Sequence, residues 1–507
     1  MSPRKFIIIV CALCLVIILP YIVAWVGQGP DYVFAGFLQN PIDGNSYLSK
    51  MYQGWSGTWQ FVLPYTANPG EGTYIFMFYL LLGHIAHLFN LPLVIAFHLF
   101  RLLGFLALLF ALKEFCQVYL SFNRDFMLTS FILSAIGSGL GWVLIPFGSY
   151  SLDAWVAEAY PFLSGYTNPH FPFGIALILW IFILAEKKDT FKRNILFSLC
   201  GLFLVNILPF GMVIVAAVLF CLFIIRWFYF RSFNVKPFLY SISLGGPILL
   251  YQYFVINSHP VLSLWNAQNL TPMPSIGDLI LSLSPSFIFA IIGIISYFRR
   301  KEQPKSLLLI VWVIIGFSLL YLPLNLQRRL IVGYFIPVAC MAIWGIKSLL
   351  VSGKRQKLIW ITFLALSLPT NILILFSGFY GISNHSVALY LYKSEAKAFE
   401  WLKTHSGQDA LILSAPETGL FIPAWTGRRV LYGHPFETAN AEQERKIVLD
   451  ILEQKTTFPE IQAFLKNEKV NYIFFGPREK KIGTMKNLDL FEVVYHSGDT
   501  IIYKTGY

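Results

Sequence analysis

The chain has 507 residues, 56% of them hydrophobic and only 13% charged, with a mean hydropathy of +0.63; soluble globular domains carry about a quarter charged residues. That composition excludes a soluble globular protein and describes a membrane protein. The net charge of +12 belongs to residues 1–385, because residues 386–507 hold 15 Lys/Arg and 15 Asp/Glu; the basic excess marks cytoplasmic loops and excludes a nucleic-acid footprint.

Apolar runs near twenty residues predict spanning helices, since a helix pairs its own backbone groups in hydrocarbon. They fall at about 6–27, 94–112, 126–147, 169–185, 194–208, 210–226, 238–257, 278–298, 306–323, 330–346 and 358–376. The first follows Arg4 and Lys5, lacks a small-residue cleavage site and is read as a retained anchor. Asn206 and Pro209 leave a second reading open, in which 194–226 crosses once as a kinked helix. With the amino terminus inside, 19 of the 23 Lys/Arg of residues 1–385 fall in inside connectors, Lys301 and Lys305 among them. Only Lys50, Arg328 and Arg329 fall in outside ones, Arg101 lies within a span, and the carboxy-terminal domain is outside. The six cysteines lie in or beside apolar spans; Cys11 and Cys14 have redox-like spacing but read as small buried hydrophobes.

The first outer loop, residues 28–72, contains NPIDGNSYLSKMYQGWSGTWQFVLPYTANPGEGTY, with Asp43, Trp55, Trp59 and Glu71 among turn-forming residues. A long outer loop with one committed carboxylate suits deprotonation of an acceptor at the membrane surface; a cap on the following turn is the plainer reading of Asp43. Residues 73–90, TYIFMFYLLLGHIAHLFN, are apolar enough to span, but a crossing there would invert every later loop. They are predicted to lie in the outer interface or enter partway, with His84 and His87 near the end.

The anchor, the loop with its acidic motif PIDGNSYLSKMYQGW, the partly inserted helix, the further helices and the outer soluble domain resemble the GT-C superfamily of integral-membrane glycosyltransferases. More narrowly, they resemble the bacterial arabinosyl-, mannosyl- and aminoarabinose-transferase kind. The resemblance implies a mainly α fold, a polytopic bundle of about 11–12 spans (residues 1–385), and an extracytoplasmic α/β domain (386–507). It implies transfer of a sugar, with inversion, from a polyprenyl-phosphate-linked donor to a glycan, lipid or protein acceptor at the outer face of the cytoplasmic membrane, with Asp43 as catalytic base. The loop has no Asp-x-Asp or Glu-Asp pair, so a divalent cation, magnesium or manganese, stays open as a cofactor.

Further along, residues 148–171 contain no Lys or Arg and present Asp153, Glu158, Asn168 and His170. With Glu71, the residues Asp153, Glu158 and His170 are candidates for placing the acceptor or a metal; helix caps and a polar turn are the alternative. The connector 257–275 is uncharged, and Trp265, Asn266 and Gln268 are its acceptor-contact candidates. Gln327, Arg328 and Arg329 supply the only outside basic pair, against the orientation rule, and are candidates for the donor phosphate; snorkelling to headgroups is the rival explanation.

From Ser394 the chain reads as a small α/β domain: helices in SEAKAFEWLKTH, EQERKIVLDILEQ and FPEIQAFLKNEKV, strands in DALILS and VNYIFFGP, and a hairpin about Ser497, Gly498 and Asp499. It has no nucleotide fingerprint. Its loop TGRRVLYGHPFET, with His434 and Glu437, is a candidate cover for the site. The other function class is a transporter or flippase for a lipid-linked or amphiphilic solute, which would want charges near the midplane and an internal repeat; no repeat is evident.

Overall fold

The computed structural model describes residues 3–120, 124–300, 306–349, 354–485 and 487–507. Lys301 and Lys305 lie outside the described residues. The chain divides into two compact units: Met1–Pro20, His98–Tyr251 and Thr271–Phe379 form one, and Tyr21–Phe97, Gln252–Leu270 and Tyr380–Tyr507 the other.

The first unit is helical and carries most of the apolar runs. Among the described residues, five helices are long and apolar enough to cross a bilayer alone: Pro3–Val26, Leu93–Leu120, Met127–Phe147, Pro209–Phe230 and Leu358–Ser383. Two predicted spans are broken. Run 238–257 becomes Lys236–Ser243 and Gly245–Ser258, bent by 50°, and run 278–298 becomes Ile276–Leu283 and Ser286–Arg299, bent by 85°. His170–Ala185, Leu307–Leu319 and Phe335–Leu349 have 16, 13 and 15 residues, about 20–24 Å at 1.5 Å per residue, which is short of a hydrocarbon core of about 30 Å. Runs 194–208 and 210–226 are two helices, Phe191–Ile207 and Pro209–Phe230, parted at Leu208. The eleven expected runs are thus apolar helices, but among the described residues five of them, or seven with each bent pair counted once, have spanning length. Cys11 is exposed and Cys14 half-buried on the first helix, so they are not the buried pair expected; all six cysteines are free.

Polar contacts join connectors of this unit in two groups. The predicted inside connectors meet through Arg226–Glu186 at 2.6 Å and through Asp189, which Arg193 and Lys236 approach at 3.1 and 2.7 Å. The predicted outside connectors meet through Arg328 N–H on the Thr271 carbonyl and Arg328 on Glu158. In the interior, Ser286–Arg300 and Phe335–Leu349 approach backbone to backbone at Gly293 and Gly345, where any Cβ would collide with the carbonyl of Met341 or Phe289.

The second unit joins the first outer loop to the carboxy-terminal segment. Its five-stranded sheet runs Arg429–Val430, Leu411–Leu413, Tyr472–Phe475, Thr500–Lys504, Glu492–Ser497, parallel over the first three and antiparallel over the last three. The predicted helices and hairpin are present, as Lys393–His405, Ala441–Leu452, Phe458–Asn467 and a turn at Gly498–Asp499. Pro416–Thr426 is a further helix that its two prolines and one glycine hid. A second, two-stranded sheet pairs Tyr32–Phe34 of the first loop with Tyr390–Tyr392. Pro64 and Ala67 of that loop accept from Val430 N–H and from the Arg429 guanidinium.

The whole acidic motif is a helix, Pro41–Trp55, entered through a left-handed Asn40 with Pro41 at its first position. It packs on Met77–Leu88, whose 12 residues are too few to span and fit the expected partly inserted or interfacial element. The two helices touch through backbone: a Cβ on Gly54 would lie 2.0 Å from the Leu80 carbonyl oxygen, and one on Gly83 2.0 Å from that of Met51. Gly83→Ala is therefore expected to destabilise by about 1–3 kcal/mol, seen as a lower melting temperature of the detergent-solubilised protein; an unchanged melting temperature contradicts this packing.

Candidate active site

The carboxylate of Asp43 sits in the first turn of Pro41–Trp55, where the helix dipole favours negative charge. It is 31% exposed. Asn40 Nδ2 donates to Oδ2 at 2.5 Å, and Nε2 of His434, a side chain only 2% exposed, lies 3.5 Å from Oδ1. One and two turns further along the helix, Ser46 and Lys50 both donate to Glu437 Oε1 at 2.6 Å. The residues selected independently from the first loop and the GHPFET loop are thus brought together.

Lys50 is the residue whose role the sequence left unread. Its ammonium is fully buried, with Phe76, Phe61 and Tyr47 ring centroids at 4.7, 5.5 and 5.5 Å. Burial pushes the Glu437 carboxyl up, but the Lys50 charge, the electrostatics of the adjacent His434 and the hydrogen bonds from Lys50 and Ser46 outweigh it and hold the group below its ordinary 4.5. A depressed folded-state value means that the stability from the pair is complete above the ordinary value and is lost as pH falls through the depressed one. Lys50→Met strands a buried carboxylate and is expected to cost about 3–5 kcal/mol. Chemical denaturation of the variant should show the loss at neutral pH and a weaker acid dependence than wild type; an unaltered midpoint contradicts the pairing.

The GHPFET loop is braced from two sides. Thr438 Oγ1 accepts from His434 N–H and Gly433 N–H, at 3.2 and 3.4 Å. Gln268, from the connector 252–270, donates to the Thr438 and Phe436 carbonyls and accepts from Ala441 N–H. Gln268 therefore fastens this loop and has its polar atoms in use. Arg428 is also structural, 6% exposed and spent on Ser406 and the Lys403 and Thr426 carbonyls.

In the helical unit, Arg328 and Arg329 each place a guanidinium nitrogen 3.4 Å from Glu158 Oε1. The Arg328 guanidinium also lies 4.6 Å from the Trp155 ring centroid. The two arginines share this carboxylate, and their side chains are 14% and 26% exposed. Gln327 beside them is a brace: its amide accepts from Met273 N–H at 3.0 Å and donates to the Leu322 carbonyl at 2.7 Å.

The remaining candidates have other surroundings. Asp153 is fully buried and accepts from Ser151, Thr370 and the Gly139 and Gly141 N–H groups. Burial pushes its carboxyl up and those four donors oppose the shift; this is the setting of a loop-stapling carboxylate. His170 begins His170–Ala185, 8% exposed, with its ring 3.9 Å from that of Phe171. Glu71 is exposed, and its carbonyl faces the His259 ring at 3.0 Å. Arg101 is 1% exposed and donates to the Gly165 and Tyr166 carbonyls and to His98. Among the described residues, no three His, Cys, Asp or Glu side chains are grouped as metal ligands.

Residues 357–505 match a family described as a family of unknown function (DUF6541). No curated protein matches the chain in sequence. Solved structures match it in fold. The oligosaccharyltransferase of Archaeoglobus fulgidus, crystallised with a tethered acceptor peptide, has a TM-score of 0.55 at 11% identity, covering 93% of this chain and 69% of that one. ArnT from Cupriavidus metallidurans has a TM-score of 0.51 at 10% identity, covering 100% and 98%. The mycobacterial arabinofuranosyltransferase AftD has a TM-score of 0.53 at 12% identity over 100% of this chain and 40% of its own. The chain thus shares the fold of these three proteins, and it is a multi-pass membrane protein with a carboxy-terminal α/β region.

Proposed function

We propose that this protein is an inverting glycosyltransferase that moves a sugar from a polyprenyl-phosphate donor to an acceptor hydroxyl at the outer face of a bacterial cytoplasmic membrane. The observation that carries the reading is Asp43, a partly exposed carboxylate at a helix amino terminus with Asn40 hydrogen-bonded to one oxygen and the His434 ring 3.5 Å from the other. The fold supports it: ArnT has been solved bound to undecaprenyl phosphate, and the archaeal oligosaccharyltransferase with an inhibitory peptide and a dolichol-phosphate.

In this reading, Asp43 takes the proton of the acceptor hydroxyl as that oxygen bonds to the anomeric carbon. The bond from that carbon to the phosphate oxygen breaks on the opposite side, and its electron pair leaves with the polyprenyl phosphate. Arg328 and Arg329 meet the charge that grows on the departing phosphate. Trp155 keeps the Arg328 guanidinium in place, and Glu158 holds the two side chains together until the donor's oxygens compete for them. Asp153 and Gln327 hold the loops that carry these groups. The acceptor is a glycan, lipid or protein hydroxyl.

The test is turnover by the purified protein in nanodiscs, supplied with undecaprenyl-phosphate-linked pentoses and hexoses carrying a radiolabel and with envelope extract as acceptor. Label should leave the lipid and free undecaprenyl phosphate should appear in equal amount. Label that crosses a sealed vesicle while still on its lipid would favour the flippase reading instead.

A further inference from the structure

We infer that His434, from the carboxy-terminal region, is the positioning residue for Asp43 and works as a neutral, singly protonated ring. The inference rests on the reading of Asp43 as base. Nδ1 of His434 has the backbone nitrogens of Phe436 and Glu437 at 3.1 Å each. Both are donors, so Nδ1 must offer its lone pair, and the ring proton of the neutral imidazole then sits on Nε2. A proton on Nδ1, in the other tautomer or in the imidazolium, would point at two N–H groups.

Nε2 is buried and has no hydrogen-bond partner among the described residues. It lies 3.5 Å from Asp43 Oδ1. A small rotation of the carboxyl group closes that contact, as catalytic contacts that are loose in the free enzyme tighten around substrate. Asn40 already holds Oδ2, so the two donors fix the plane of the carboxylate. A neutral donor does this without a full positive charge beside the base, which would weaken its hold on a proton. The other groups facing the ring are Glu437, whose charge Lys50 neutralises, and Tyr65, with ring centroids 5.7 Å apart. The Lys50–Glu437 pair, three residues along, clamps the turn that carries His434 to the helix that carries Asp43.

Two substitutions separate positioning from turn structure. In His434→Asn the side-chain oxygen sits where Nδ1 sits and still accepts from the turn, but nothing reaches Asp43. In His434→Gln the terminal amide nitrogen sits where Nε2 sits and still donates to Asp43, while the acceptor for the turn is lost. With both variants folded by melting temperature, His434→Asn is expected to lose about 10–100-fold in kcat with KM unchanged, and His434→Gln to stay close to wild type. The reverse order, equal activity of the two, or loss in both overturns the inference. If Asp43→Asn is inactive and His434→Asn is not, only the role of His434 fails; if Asp43→Asn transfers at the wild-type rate, the reading of Asp43 fails with it.

Discussion

Asp43→Asn is expected to lower the rate of sugar transfer by about 10²–10⁴-fold, the usual contribution of a positioned general base, while the protein remains inserted and folded. The substitution is nearly isosteric, and the retained side-chain oxygen can still accept a hydrogen bond. Asp43 is partly exposed and is not the counterion of the buried Lys50, which Glu437 serves, so the fold does not depend on its charge. The loss should therefore appear in kcat, with binding of the lipid donor preserved. Wild-type turnover by the Asn variant would remove Asp43 from the chemistry.

Replacing both Arg328 and Arg329 by Gln is expected to lower kcat/KM for the lipid-linked donor by about 10²–10³-fold. The same double variant should bind undecaprenyl phosphate more weakly in a direct binding measurement. Lys at these positions is not expected to restore function, since an ammonium offers neither the planar fork that two phosphate oxygens meet nor the flat face that rests on Trp155. Undiminished binding of undecaprenyl phosphate by the double variant would reassign the pair to headgroup anchoring.

Most of the fold was legible because each signal rests on one strong physical term. Hydrocarbon thickness makes apolar runs visible, and connectors 186–193 and 226–236 meet in the structure, as do 158 and 328. What failed was the length of individual helices. Interruptions such as that between Leu283 and Ser286 leave the composition apolar while turning the chain by 85°. The helix at Pro41–Trp55 was read as a turn because Gly44, Asn45, Ser46 and Gly54 erase its periodicity, and its buried face is small and polar where it meets Glu437 and Leu80.

The candidate site was legible in its members and not in its groupings. Asp43 and the loop with His434 and Glu437 were selected from local composition about 390 residues apart, and no sequence rule joins them. Lys50 was visible only as an outside lysine; its burial against Glu437 depends on a fold that sets the first loop on the carboxy-terminal sheet. Glu158 was expected among acceptor contacts and is instead the shared partner of Arg328 and Arg329. Asp153 carried the same sequence signal as Asp43, a loop aspartate among aromatics, and only its four donors and full burial set the two apart.

The account stands on a base located beyond the outer headgroups. The measurement that tests this most directly places a cysteine at that position, as Asp43→Cys, in a protein whose six native cysteines are replaced, and treats intact cells with a membrane-impermeant maleimide. Labelling before permeabilisation is the predicted result. Labelling that appears only after the membrane is breached would put residue 43 on the cytoplasmic side and contradict the account.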